Sequence, residues 1–358
     1  LPRYGIRYVW FGDEQSITGY GGTPIDFCFS TNCLTAFRAF AKAKYGTLER
    51  LNAEYESEYG SWDEVLPYTR QEVWNANGRH VAGWADHLEF MDDRVTNALA
   101  FCGGMLREMD PDMRLTLSGT QPPAAYSGMD WSKIMHVLDT TMDYMTEGQT
   151  DMRRAYRPDG RFMPWAWGYG SRGPGAVNAV WRVPFIGGHG LIGFWARSQF
   201  RPDFTPTHGV TDILPDLTRL AHGVGKYLLS CTAFRSDTAV LYSQASFRAA
   251  FIEERRAEHD RLQQECRDVL RNLGVAFDYL AYDRLADGGA SAYGALVLVD
   301  AVAMSDREVA AVKDFAAKGG TVIALGLPAT RAFNCRPRKA SPFAGWFGGP
   351  HRVLVEPT

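Results

Sequence analysis

The sequence predicts a parallel α/β protein, and three observations carry that reading. Short apolar, β-like runs alternate with helical segments up to Cys231. The first run, Tyr8-Val-Trp-Phe-Gly-Asp-Glu14, ends in two adjacent carboxylates, and the C-terminal end of a strand is where (β/α)8 enzymes keep their catalytic groups. After Cys231 the texture changes and a second, shorter series of alternating strands and helices begins.

Taken in order, Tyr8 to Phe11 reads as the opening strand. Phe37 to Tyr45 reads as a helix ended by Gly46, and Leu48 to Tyr55 continues helical before Gly60 and Pro67 break the pattern. From Trp84 to Met109 apolar residues recur at spacings of three and four, and Asp110-Pro111 stops the helix. Strand-like runs follow at Met113 to Ser118, Thr140 to Met145, Arg161 to Trp167 and Leu191 to Ala196, with helical segments between them at Trp131 to Leu138 and Ala176 to Gly187. Beyond Cys231, strands are expected at Thr238 to Tyr242, Val275 to Tyr282, Ala295 to Val299 and Thr321 to Leu325. Helices are expected at Glu253 to Leu273, closed by Gly274, and at Asp306 to Lys318, stopped by Gly319-Gly320. This second series reads as a small doubly wound α/β unit. The division falls near residues 232 to 237, giving domains 1–233 and 234–358.

Composition narrows the classes of function. With 358 residues, 46% of them hydrophobic, the chain can bury a large core. A formal charge of −3 and no dense Lys/Arg stripe give no reason to expect nucleic acid as a partner. No apolar run reaches the roughly 18 residues that would span a bilayer, so no membrane partner is expected. The start of the chain lacks signal-peptide order and lies only a few residues before a strand, so the compartment stays open. Six scattered cysteines do not form a disulfide framework. Ten Trp, concentrated before residue 200, suit flat apolar surfaces such as sugar rings, while core packing is the default role of any one of them.

Several segments, in order, are similar to glycoside hydrolase family 42, the β-galactosidases. They are Gly12-Asp-Glu14 with its aromatic loop, Cys28 to Cys33 followed by Phe37-Arg38, and Lys44-Tyr45-Gly46-Thr47. Leu51-Asn52-Ala53-Glu54 with Ser61-Trp62, Asp130-Trp131 and Leu138-Asp139 continue the pattern, as do His189-Gly190, Phe194-Trp195 and His208-Gly209. The second unit resembles the β-galactosidase trimerisation domain. The resemblance implies a (β/α)8 TIM barrel followed by a flavodoxin- or glutamine-amidotransferase-like domain, a carbohydrate substrate, a homotrimer and no cofactor. Only five strands precede residue 232 where a barrel needs eight, so the chain is expected to be the C-terminal portion of a barrel.

The same resemblance places Glu14 as general acid/base, a carboxylic acid that protonates the glycosidic oxygen and later takes a proton from water. Asp13 sits beside it. The family's nucleophile belongs on the seventh strand, but Arg161 to Tyr169 reads RFMPWAWGY and holds no carboxylate. Glu147, near the end of the preceding strand, is the nearest substitute, with Asp143 and Asp151 weaker ones. Trp195 and His208 match residues near the sugar, while the Glu expected three positions before His208 is Thr205 here. Tyr144, Trp165 and Trp167 are candidates to stack on pyranose faces. A four-cysteine zinc site, present in some members, lacks ligands beyond Cys28 and Cys33, with Ser30 in place of a third, so no metal is expected. The second unit lacks a Cys nucleophile on a strand-to-helix turn, a dinucleotide fingerprint and a phosphate loop, which leaves it subunit contact or packing. Two functional readings stay open at this point: a glycosidase, and a non-catalytic carbohydrate-binding or assembly protein on a degenerate barrel. A structural protein with no sugar site is a third.

Overall fold

The structure, a computed structural model, describes residues 7–19, 23–144, 147–157, 161–163, 165–167, 172–188, 192–193, 199–231 and 236–347. Packing divides the chain into two units, Leu1–Ile25 with Glu89–Arg235, and Asp26–Leu88 with Ser236–Thr358.

In the first unit, β1 (Tyr8–Asp13) pairs with β2 (Arg114–Thr120), β2 with β3 (Thr140–Asp143) and β3 with β4 (Arg161–Phe162), all parallel and in chain order. A separate parallel pair joins β5 (Trp165–Trp167) to β6 (Ile192–Gly193). The run expected from Arg161 to Trp167 is thus two short strands. Of the strand expected from Leu191 to Ala196, only residues 192–193 lie within the described segments. Helices Trp131–Val137, Glu147–Tyr156 and Gly173–Phe185 fall between successive strands, as parallel pairing requires.

The helix Val81–Met109 precedes β2 and ends where Asp110 meets Pro111, with the Asp110 N–H on the Leu106 carbonyl at 3.0 Å. It covers one face of β2: a Cβ at Gly103 would come within 3.4 Å of Leu115. Leu115 and Leu117 are buried on that face, each burial stabilising by about 2 kcal/mol. Thr116 and Ser118, alternating to the other face, are buried too. Asp139 ties β2 to the next crossover by accepting from the Leu115 N–H at 2.8 Å and from Arg107 at 3.1 Å.

In the second unit, β7 (Thr238–Tyr242), β8 (Asp278–Ala281), β9 (Ala295–Val299) and β10 (Thr321–Leu325) form one parallel sheet in the order β10-β9-β7-β8. The two inner strands read TAVLY and ALVLV, near-continuous apolar runs of the kind a sheet covered on both faces selects. Leu241, Leu280, Leu296, Leu298, Val312 and Phe315 belong to one buried cluster. The helix Asp306–Ala317 starts at a capping box, Ser305 with Glu308. The helix expected from Glu253 to Leu273 is present as Arg256–Asn272, starting later because Glu254 takes a left-handed backbone (φ 58°), and a further helix that was not expected, Gln244–Ile252, precedes it.

Residues 26–88 complete this unit. Asp86 is fully buried and accepts from Lys44 at 2.8 Å, Tyr45 at 2.7 Å and Tyr55 at 3.0 Å. Asn334 donates to Glu54 at 3.0 Å, and the Trp74 indole N–H to the Ile252 carbonyl at 3.1 Å. Burial and the Asp86 charge push the Tyr45 hydroxyl far above its ordinary range, so it donates and does not ionise.

Candidate active site

The C-terminal ends of β1, β2 and β3 bring Asp13, Glu14, Ser118, Gly119 and Tyr144 together. Two β-bulges make this possible. Between the Trp10–Thr116 and Asp13–Ser118 pairs, β1 carries one residue more than β2, and Gly12 in that interval has φ 144°. The extra residue turns Asp13 onto the face of Ser118, whose hydroxyl donates to the Asp13 carboxylate at 2.8 Å. Between Ser118–Met142 and Thr120–Asp143 the extra residue is Gly119 on β2, with φ 58°.

Glu14 leaves the strand with a left-handed backbone, φ 48°, and its N–H bonds the Ser118 carbonyl at 2.9 Å. Neighbours on a regular strand point to opposite faces, but this reversal lets Asp13 and Glu14 converge. Both approach the position a Gly119 Cβ would take: Glu14 Cγ at 2.9 Å and Asp13 Oδ1 at 3.0 Å. Glu14 is half-buried, and the Tyr144 hydroxyl donates a short hydrogen bond to its Oε1. The loop after β1 is fixed by its backbone, with the Ile17 N–H on the Ser127 carbonyl and the Thr18 hydroxyl on the Tyr126 carbonyl, each at 3.0 Å. A carboxylic acid so held can give a proton to, or take one from, a group above the strand ends.

The remaining candidates lie as follows. Glu147 begins the helix Glu147–Tyr156, and its side chain falls outside the described residues, as does that of Asp143. Asp151 is buried and paired with Arg154 at 3.3 Å, which makes it a helix-stabilising group. Trp165 and Trp167 form β5 with side chains outside the described set, and Trp195 lies wholly outside it. His208 is exposed at the start of the short helix His208–Thr211. The Cys28 thiol contacts the Ser30 hydroxyl at 3.1 Å, and among the described residues no group of three His, Cys, Asp or Glu is arranged to hold a metal ion. No helix of the described residues is long and apolar enough to cross a membrane.

A cavity of about 270 Å³ lies nearby, lined by Phe11, Ile17, Val95, Leu99, Leu117 and Met129 among others. It opens on the Leu117 face under the helix Val81–Met109, and not on the face of Ser118 and Asp13. The two bulges, the Ser118–Asp13 bond and the Tyr144–Glu14 bond are absent from the expectations drawn from sequence. The available signal was a lone glycine within each strand pattern, at Gly12 and Gly119.

The β-galactosidase model of glycoside hydrolase family 42 matches residues 18–161. Among similar proteins, β-galactosidase BgaP of Planococcus sp. (strain L4) is 29% identical over 161 residues, 40% of this chain and 23% of that protein. β-Galactosidase LacZ of Lactobacillus acidophilus is 33% identical over 117 residues, 30% of this chain and 16% of the relative. An exo-carrageenase of family GH42 from Bacteroides ovatus superposes with a TM-score of 0.69 at 16% identity, covering 92% of this chain and 49% of that one. A β-galactosidase from Marinomonas ef1 gives 0.67 at 16%, covering 90% and 57%. The chain therefore spans under a quarter of these two sequence relatives and about half of the two solved structures. The shared fold is TIM-barrel-like α/β, to which the parallel sheets conform.

Proposed function

We propose that this chain, whose residues 18–161 match the glycoside hydrolase family 42 model, carries the acid/base half of a β-galactosidase-type active site, hydrolysing terminal glycosidic bonds of a carbohydrate. One observation carries the reading: Glu14 stands at the C-terminal end of a parallel strand, fixed by Tyr144 and half-buried beside Asp13. Glu14 protonates the glycosidic oxygen as the bond breaks and afterwards takes a proton from water. Glu147 is the carboxylate offered as its partner, and Asp13, Tyr144, Trp165, Trp167, Trp195 and His208 are offered as sugar contacts. Residues 1–233 would be the barrel portion. Residues 234–358 would be a flavodoxin- or glutamine-amidotransferase-like trimerisation domain, its four-stranded parallel sheet in keeping with that, and the assembly a homotrimer.

One observation favours a second reading. Arg161 to Tyr169 supplies no carboxylate where the family keeps its nucleophile, which fits a non-catalytic sugar-binding protein. One experiment separates the two: hydrolysis of an aryl β-galactoside by the full-length protein and by Glu14→Gln, with galactose binding followed by calorimetry. Turnover lost by about a thousandfold with binding retained supports the hydrolase. Turnover unchanged by the substitution removes Glu14 from the mechanism, and binding without turnover in the parent protein supports the second reading.

A further inference from the structure

We propose that Tyr144 is a positioning residue for Glu14, and that Gly119 is the gap through which the two meet. The proposal rests on Glu14 being the acid/base. Glu14 follows β1 and Tyr144 follows β3, with β2 between them. Neighbouring strands lie about 4.8 Å apart, so side chains from β1 and β3 must cross about 9 to 10 Å over the intervening strand. Any side chain on β2 at that level would stand in the way. A Cβ at residue 119 would lie 2.9 Å from Glu14 Cγ, 3.0 Å from Asp13 Oδ1 and 3.2 Å from the Tyr144 hydroxyl oxygen. Carbon atoms do not pack that closely, so a substituted Gly119 must displace Glu14, Tyr144 or both. Its φ of 58° adds strain for any other residue.

The contact has a chemical consequence. With Oε1 held by the Tyr144 hydroxyl, Oε2 is the oxygen that meets the substrate. As the glycosidic C–O bond breaks, its electron pair goes to the leaving oxygen, and the proton on Glu14 Oε2 moves there. Negative charge appears on the Glu14 carboxylate in that step. A hydrogen bond donated by Tyr144 strengthens as the charge grows, so it stabilises the transition state more than the ground state. Tyr144 itself exchanges no proton or bond.

The role makes the effect of Tyr144 depend on the leaving group. A dinitrophenolate leaves with little protonation, whereas phenol from an unactivated glycoside needs the acid. The test compares the full-length protein with Tyr144→Phe and Gly119→Ala on 2,4-dinitrophenyl and phenyl β-galactosides, with thermal midpoints recorded for each. For Tyr144→Phe, kcat/KM on the phenyl galactoside, which reports the bond-breaking step alone, is expected to fall by about 10- to 100-fold, against less than about threefold on the dinitrophenyl one. Gly119→Ala is expected to show the same split, since it breaks the same contact from the other side. Equal losses on both substrates in both variants, or no loss, would overturn the proposal. Labelling of Tyr144 by a 2-deoxy-2-fluoro galactoside would also overturn it, since that makes Tyr144 a nucleophile. A parent protein inert to both substrates overturns the acid/base reading and this proposal with it. An active parent with an indifferent Tyr144→Phe overturns the proposal alone.

Discussion

Glu14 in the first unit and Asp300 in the second occupy matching places in their sheets. Each is the residue directly after a parallel strand, β1 or β9, and each leaves it with a left-handed backbone, φ 48° and 45°. Their surroundings differ. Glu14 is half-buried and its Oε1 accepts from a neutral hydroxyl. Asp300 is buried, accepts from the His259 ring at 2.8 Å and lies 3.5 Å from Arg255, which is itself held by Glu253 at 2.8 Å. A strand-end carboxylate is therefore an opportunity and not yet a site. When cationic or ring N–H donors fill its lone pairs in a buried setting, it becomes a strut. When a neutral donor takes one oxygen and leaves the group near solvent, it keeps the freedom to exchange a proton.

The comparison can be broken at either end. At the open end, the thousandfold loss expected of Glu14→Gln should leave unfolding free energy within about 0.5 kcal/mol of the parent in urea titration. A large stability loss there would make Glu14 a strut as well. At the closed end the opposite split is expected. Asp300→Ala leaves the buried His259 Nδ1 without its carboxylate and should cost about 3 kcal/mol in the same titration, while turnover per folded molecule stays within about twofold.

Glu308 sharpens the contrast, because it is a helix-capping acid that is buried with one oxygen satisfied. Its side chain caps the helix Asp306–Ala317 by accepting the Ser305 N–H at 2.7 Å, while Oε1 has no hydrogen-bond partner. Burial pushes the carboxyl up from 4.5 to about 7. A carboxyl raised in the folded state binds its proton more tightly there than in the unfolded chain. Its favourable contribution is thus present below about pH 4.5 and lost as pH rises through about 7, an effect of up to about 3 kcal/mol. Glu308→Gln keeps the cap and removes the charge. It should gain about 1 to 3 kcal/mol over the parent at pH 8 and nothing at pH 4, by denaturant titration at the two pH values. The smallest effect belongs to a largely exposed pair. Lys318 and Asp314 meet at 2.7 Å on an exposed helix face, and Lys318→Ala should change stability by only about 0.3 kcal/mol.

Much of the fold was legible because its determinants are local. The strands Thr238–Tyr242, Ala295–Val299 and Thr321–Leu325 and the helix Leu48–Tyr55 match their expected bounds, each being an apolar or amphipathic run with turn residues at its ends. Nothing local distinguishes Glu253-Glu254-Arg255 from helix, since all three are good helix formers. The break there accompanies Glu253's ion pairs with Arg255 and Arg331, and Arg331 lies 78 residues further along the chain. The location of Glu14 was legible from a strand ending in acids, but its geometry was not. That depends on two bulges whose register is set between strands, and on a hydroxyl 130 residues away. The packing of residues 26–88 with the C-terminal sheet was equally hidden, resting on pairs such as Asn334 with Glu54.

That last arrangement has a consequence for how the chain is made. The buried Tyr45 hydroxyl, bonded to Asp86, also accepts from Asn334, 289 residues later in the chain. A ribosome adding about 5 to 20 residues per second needs about 15 to 60 s to cover that interval. Throughout it the helices Thr31–Tyr45 and Leu48–Tyr55 exist without the strands and loop that complete their unit. Their apolar faces are then open to chaperones or to neighbouring nascent chains, so the yield of folded protein is expected to depend on how those early helices are shielded during synthesis.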